Sequence, residues 1–328
     1  MHIHPPSRET TGVNHWRNAR TDYALKPFEI SRCSASVDSL PCRQTGAPKG
    51  NERYHVSQAG RLHTGNNVPL LEFNNLSVVR GVENKQILRR ISIRMEQGEH
   101  LALLGPNGCG KSSFINLVIR EYYPFSGVDG YSFKILGRED WNVFDLRYLF
   151  GIVSDRLQSA CYGDITGMET VLSGFFGSVG LYRARVTARM RRKARGILDF
   201  LDIGHLSGLE ISRMSTGEAR CFLIARALVH EPKGLILDEP CNGLDLQAMS
   251  RFRSCVRKIA GTGISVILAT HNLQDIIPEI SRVILMKDGE FIADGAKKDM
   301  LESRKIGKLF DLRVRIKKIG AYYYHIVT

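Results

Sequence analysis

The chain has no run of about 18 consecutive apolar residues, which excludes a hydrophobic helix that spans a bilayer. Its seven cysteines, Cys33, Cys42, Cys109, Cys161, Cys221, Cys241 and Cys255, contain no C-x-x-C pair, so a zinc or dithiol redox motif is unsupported. An odd, scattered set of this kind is expected to stay reduced in a cytosolic compartment. No apolar core marks the first residues as a secretory signal. There is no internal repeat, and no heptad pattern is sustained long enough for a coiled coil. What remains is an ordinary globular composition, 43% hydrophobic over 328 residues. The formal net charge of +13 suggests acidic partners such as nucleotide, nucleic acid or anionic lipid.

Residues 1–66 stand apart. They hold nine Lys or Arg against five Asp or Glu, a net of +4, with Pro5-Pro6, many Ser, Thr, Asn and Gly, and no periodicity. This composition predicts a disordered extension. Five acidic residues and the lack of an amphipathic stripe weigh against an organelle transit peptide. From about Val68 the pattern changes. Leu70–Phe73, Leu76–Val79 and Ile91–Met95 read as short strands, as do Tyr131–Leu136 and Phe150–Val153. Residues 155–215 read as mostly helical, with Val186, Met190, Ala194, Ile197, Leu198 and Leu201 on one face. The alternation then resumes with a strand at 234–238, a helix at 246–259 and strands at 264–269 and 282–287. That alternation predicts a parallel sheet with covering helices.

The chemistry concentrates at Gly105-Pro106-Asn107-Gly108-Cys109-Gly110-Lys111-Ser112, which fills the phosphate-loop pattern G-x-x-x-x-G-K-[ST]. An apolar strand, Leu101–Leu104, precedes it, and a helix beginning near Ser113 follows. Glycines let the backbone wrap the phosphates, and consecutive N–H groups point at their oxygens from a helix N-terminus. Lys111 is expected to reach the β- and γ-phosphates, and Ser112 to ligate Mg²⁺. A buried strand, Gly234–Leu237, delivers Asp238 to orient Mg²⁺ and Glu239 to polarise the attacking water. Cys109 reads either as a small residue filling a tight turn or as a thiol activated by the helix N-terminus.

Three further stretches carry a family resemblance. Met214-Ser-Thr-Gly-Glu218, followed by a helix, resembles the LSGGQ signature of ATP-binding cassette (ABC) ATPases. Pro240-Cys-Asn-Gly-Leu-Asp245 resembles the loop after the catalytic glutamate of that family, and Thr270-His271 resembles its switch histidine. The order and spacing match an ABC cassette over roughly residues 70–300, and STGE-type signatures are similar to a molybdate-type or photorepair-like, single-cassette branch. The resemblance implies a P-loop NTPase with a RecA-like α/β core, an antiparallel β subdomain and a helical insert. The cassette would span residues 67–300, with residues 301–328 a C-terminal tail packing on it.

It also implies a composite site. Two cassettes pack head to tail, and Ser215, Gly217 and Glu218 of one face ATP held on the other's phosphate loop, including Ser113. Asp245 would lie at the seam, and His271 would contact the γ-phosphate. Arg80 falls where the family places an adenine-stacking aromatic, so its guanidinium either stacks on the base or is solvated. The family's glutamine after the Phe150–Val153 strand is displaced: Asp155 takes its place and Gln158 lies three residues on, so either Gln158 serves as the metal ligand from a remodelled loop or Asp155 ligates the metal through water. The implied activity is Mg²⁺-dependent ATP hydrolysis by the energising subunit of an ABC transporter. Its partners are ATP, a second copy or paired cassette, and a separately encoded membrane permease at the inner face of the membrane. The alternative is a soluble ABC ATPase acting on nucleic acid or ribosomes. Seven basic residues between Arg183 and Arg195, without an acid, suit a solvated face, anionic headgroups or nucleic acid, in that order.

Overall fold

The computed structural model describes residues 68–81, 85–125, 130–161, 163–181 and 184–327. The extension expected over 1–66 and Arg183 of the basic run lie outside the described residues. Strands β1 (Leu71–Arg80), β2 (Lys85–Met95) and β4 (Ser132–Ile135) form an antiparallel sheet in the order β2-β1-β4. Strands β3 (His100–Leu104), β5 (Phe150–Ser154), β6 (Gly234–Asp238), β7 (Ser265–Thr270), β8 (Arg282–Lys287) and β9 (Glu290–Ala296) form the main sheet, in the order β5-β6-β7-β3-β8-β9. Pairing is parallel throughout except between β8 and β9.

The helices are α1 (Lys111–Val118), α2 (Val143–Leu149), α3 (Asp155–Cys161), α4 (Gly167–Ser173), α5 (Ala188–Phe200), α6 (Thr216–Ala227), α7 (Leu246–Ala260), α8 (Lys297–Met300) and α9 (Ser303–Phe310). The chain ends in a hairpin of β10 (Val314–Ile319) and β11 (Tyr322–Val327).

The alternation of side chains along the parallel strands explains the layering. Leu101, Leu103, Ile236, Ile267 and Ile284 point to one side, where they pack with the antiparallel sheet and α1. Ala102, Leu104, Leu235, Leu237, Leu268 and Leu285 point to the other, against α4–α7. Every residue of β7 is buried, so both faces of the sheet are covered. This agrees with the expected α/β core, antiparallel β part and helical insert.

Some expected elements change shape. The two strands at Leu70–Phe73 and Leu76–Val79 are one continuous β1, because Asn75 takes φ +50 and the register with β2 shifts there instead of the strand ending. The Ile91–Met95 strand is the last part of a longer β2 that begins at Lys85. The insert contains α3, α4 and α5, with single 3₁₀ turns and loops between them, so it is less helical than periodicity suggested. On α5, Ala194 and Leu198 are buried and Met190 and Ile197 half-buried, while Arg189, Arg191, Arg192 and Arg195 are exposed. Residues 301–327 are structured: Ile306, Leu309 and Tyr323 enter the core shared with α4–α7, and Arg253 of α7 lies over the Tyr322 ring at 5.0 Å.

Candidate active site

The carboxyl ends of β3, β6 and β7 are adjacent, and each delivers part of the site. Leu104 of β3 is in register with Thr270 of β7, and Asp238 of β6 with Ala269. Beyond β3 the chain turns through Gly105, whose N–H donates to the Thr270 carbonyl at 3.2 Å. A Cβ at Gly105 would lie 2.2 Å from the Met286 carbonyl oxygen, so no side chain fits there. Gly110 has φ +111 and serves as N-cap of α1 without a side-chain cap, so the first N–H groups of α1 keep their hydrogen-bonding capacity. The loop thus builds an anion cradle out of backbone alone. Pro106 is half-buried and Asn107 and Gly108 are exposed at its rim. Ser112 is exposed and Ser113 half-buried on the first turn of α1.

Lys111 is 5% exposed, and its ammonium has three partners: the carbonyls of Gly105 at 2.9 Å and Pro106 at 3.0 Å, and Glu239 Oε1 at 3.0 Å. The other Glu239 oxygen is 2.5 Å from His271 Nδ1. Glu239 has φ +50, an uncommon backbone state for a residue with a side chain. Its N–H donates to the Ala269 carbonyl and its own carbonyl accepts from Asn242 N–H, which holds that turn. Lys111, Glu239 and His271 therefore meet directly, although 160 positions separate the first from the last. Behind them, Thr270 Oγ1 donates to Asp275 Oδ2 at 2.5 Å.

Asp238 is hydrogen-bonded to Ser112, while its Oδ1 is buried without a hydrogen-bond partner. Burial raises its pKa above the ordinary carboxylate value, against the lowering effect of the Ser112 bond. An orphaned buried carboxylate oxygen beside a serine hydroxyl fits a hard cation. Among the described residues no cluster of three or more His, Cys, Asp or Glu side chains suits a metal. Mg²⁺, however, takes one or two protein oxygens and completes its shell from water and phosphate, so the pair Ser112 and Asp238 is a sufficient protein contribution.

Gln158 sits elsewhere. Its Oε1 accepts from Arg220 Nε at 2.8 Å, and Arg220 also bonds Asp155. The oxygen expected to serve metal is thus committed to a guanidinium. Asp155 lies closer to Asp238: it follows Ser154, the register partner of Asp238, and its charge adds to the larger effects of Glu239 and Lys111 there. Cys109 is 4% exposed, and burial raises its pKa, so the activated-thiol alternative is corrected: the side chain fills the turn.

The signature residues occupy a second helix N-terminus. Ser215 is exposed and caps α6: its Oγ accepts from Glu218 N–H and donates to Glu218 Oε2, while the Ser215 N–H donates to the same oxygen. Glu218 also pairs with Arg251 of α7 at 2.7 Å. Gly217 is needed for packing, since a Cβ there would lie 2.6 Å from the Ala248 Cβ. Asp245 is exposed and caps α7 by accepting from Ala248 N–H at 2.7 Å. Arg80, at the exposed end of β1, donates to the Tyr122 hydroxyl at 2.5 Å and lies 5.2 Å from the centre of that ring.

Sequence reasoning missed Arg220 and Gly289. Gly289, with φ +82, sends its N–H to the Cys109 carbonyl and would place a Cβ 2.6 Å from the Ile87 carbonyl. Arg220 had a detectable signal, a basic residue directly before the apolar run Cys221–Ala225.

The comparisons with known proteins agree with this geometry. A family profile described as "ABC transporter" matches residues 88–242. The uncharacterized ABC transporter ATP-binding protein YlmA of Bacillus subtilis (strain 168) is 33% identical over 252 residues, 75% of this chain and 93% of its own length. ABC transporter ATP-binding protein ModF of Escherichia coli (strain K12) is 32% identical over 236 residues, covering 70% of this chain and 46% of ModF. The solved structure of cbiO1 from Clostridium perfringens, described as part of the ABC transporter complex cbiONQ, superposes with TM-score 0.62. It is 25% identical and covers 73% of this chain and 93% of its own. These relatives show that the chain belongs to the ABC transporter ATP-binding family and is a P-loop ATPase of that type.

Proposed function

We propose that this protein is the Mg²⁺-dependent, ATP-hydrolysing subunit of an ABC transporter, acting as a head-to-tail dimer with a separately encoded membrane subunit on the cytoplasmic face. The observation that carries the reading is the Lys111–Glu239–His271 contact beside the orphaned Asp238 oxygen. All three ammonium hydrogens of Lys111 have acceptors. A γ-phosphate competes best for the one that Glu239 holds, because the other two are fixed backbone carbonyls. Binding of ATP to Lys111 thereby frees Glu239 to take a proton from the attacking water, while His271 keeps hold of the other carboxylate oxygen. Ser112 and Asp238 would hold Mg²⁺, which, when bound, neutralises charge on the β- and γ-phosphates.

The exposed Ser215 supports the dimer, since it presents an α-helix N-terminus at the surface, where the phosphate of a partner cassette can reach it. Arg80 is the candidate adenine neighbour, with Tyr122 fixing its guanidinium plane. An apolar groove of about 330 Å³ supports a membrane partner. Phe144, Tyr148 and Phe176, exposed by 70%, 48% and 37%, line it, together with Leu157 of α3. A short amphipathic helix of a permease fits such a groove, whose aromatic walls offer apolar area and whose Arg147, Arg226 and His230 offer polar contacts. Among the described residues no helix is long and apolar enough to cross a membrane. The test is purification from membranes in mild detergent. A polytopic protein is expected to co-purify with the wild type and to be lost when Phe144 and Tyr148 are changed to Ser. Recovery with nucleic acid and no membrane protein would favour the soluble alternative.

A further inference from the structure

Helix α6 runs apolar and buried through Cys221–Ala225, and Arg220 enters this buried stretch with a side chain only 5% exposed. A buried guanidinium is costly unless each of its edges finds an acceptor. The edges of Arg220 reach three different segments. Its Nε donates to Gln158 Oε1 at 2.8 Å, its Nη2 to Asp155 Oδ1 at 2.5 Å, and its Nη1 to the Pro240 carbonyl oxygen. Asp155 and Gln158 lie on α3, and Leu157, between them in sequence, lines the apolar groove. Pro240 directly follows Glu239, whose φ of +50 needs support from its surroundings. One rigid, planar fork therefore bridges the groove-side helix, the helix behind Ser215 and the peptide after the proposed general base. A lysine has no such fork.

We infer that Arg220 is a positioning residue for ATP hydrolysis: it clamps the Glu239–Pro240 segment to α3, so that the Glu239 carboxylate keeps its place against Lys111 and His271, and a shift of α3 at the groove reaches that carboxylate through a single side chain. This rests on Glu239 being the base, which Glu239→Gln tests separately, because that variant loses turnover whatever Arg220 does. Arg220 touches neither nucleotide-loop atoms nor Lys111, so its loss acts on turnover and spares ATP binding.

The experiment measures steady-state ATP hydrolysis and equilibrium ATP binding on the full chain, with far-UV circular dichroism as the folding control. Arg220→Gln is expected to lower kcat by about 30- to 100-fold, the scale of a small misplacement of a catalytic group, with the Kd for ATP within about threefold of wild type. Arg220→Lys, with one point donor for three acceptors, is expected to recover only part of the loss. The double variant Asp155→Ala, Gln158→Ala removes both side-chain acceptors at the exposed side of the clamp, and is expected to lower kcat about tenfold at unchanged Kd. A folded Arg220→Gln with kcat within about twofold of wild type would overturn the inference, as would a loss of ATP binding that matches the loss of kcat/KM. If Arg220→Gln does not fold, the double variant decides: unchanged kcat overturns the clamp, and a drop in kcat at constant Kd upholds it.

Discussion

Helices α1 and α6, whose N-termini are the two proposed phosphate sites, begin in opposite ways. Helix α1 starts at Gly110, in a left-handed conformation and without a side-chain cap. Its N–H groups stay available, and the charge beside them is the buried ammonium of Lys111. Helix α6 starts at Ser215 with a complete capping box, and Glu218 sits on its first turn. There the N-terminus is closed by the chain's own side chains, and a carboxylate already occupies the position an anion would seek. The first helix end would be a permanent phosphate cradle, because its backbone donors have no side-chain cap. The second is self-satisfied in a single copy and must give up or share its cap to meet phosphate from outside. In the proposed dimer, one half of the contact would be always ready and the other held closed.

The cradle is where the largest effect is expected. Lys111→Ala removes the only side-chain cation of the loop and should lower turnover by about 10³-fold or more while weakening ATP binding, measured by steady-state hydrolysis and nucleotide titration. At the capped end the effects are smaller and differ in kind. Ser215→Ala should cost ~1 kcal/mol of stability through the lost cap, read from denaturant unfolding. It should leave ATP binding to a single copy unchanged and weaken ATP-driven pairing. Glu218→Gln keeps a capping-box residue but removes the negative charge, so pairing in Mg-ATP should tighten by about threefold to tenfold, the scale of one charge at a helix end. Equal pairing in both Glu218 forms would remove the contrast between the two helix ends.

The smallest effect lies away from both helix ends, on the groove. Burial lowers the pKa of His230 below the ordinary imidazole value of about 6.5, more than its bond to the Gly174 carbonyl raises it. Between the lower folded value and about 6.5, the unfolded chain therefore binds more protons than the folded one, and stability rises with pH across that window. Acidification from about pH 6.5 should thus lower the melting temperature, and His230→Gln should flatten that part of the curve. His100 is shifted in the same direction by burial and contributes a parallel slope that stays in the variant.

The cradle was legible in the sequence because its function is local. Tight backbone turns demand glycine at fixed offsets, and the Lys-Ser pair must follow at the helix start, so Gly105–Ser112 states its geometry in consecutive letters. Asp238 and Glu239 were legible for a similar reason, since an apolar strand brings them to the carboxyl end of the sheet. The closed state of α6 was half legible: Ser215 and Glu218 show the S-x-x-E pattern of a capping box, but the pattern alone does not say that the ligand end is already filled. The Arg220 clamp was not legible. Its partners lie 20, 62 and 65 positions away, and only folding makes them neighbours. The thiol of Cys109 was ambiguous because burial, which sets its pKa, is a tertiary property. The terminal hairpin carried a usable signal, since Val314 and Ile316 alternate with Arg315 and Lys317 ahead of Gly320, a strand pattern that a reading of residues 301–328 as a tail passes over.

The central claim is that phosphate held at α1 of one copy is met by the opened cap of α6 on a second. The most direct measurement is the mass of the Glu239→Gln variant by light scattering after gel filtration, with and without saturating Mg-ATP. The account predicts twice the mass of one chain with Mg-ATP and a single chain without it, with Ser215→Ala in the same background pairing less well. A variant that binds ATP stoichiometrically yet keeps the mass of a single chain would contradict it.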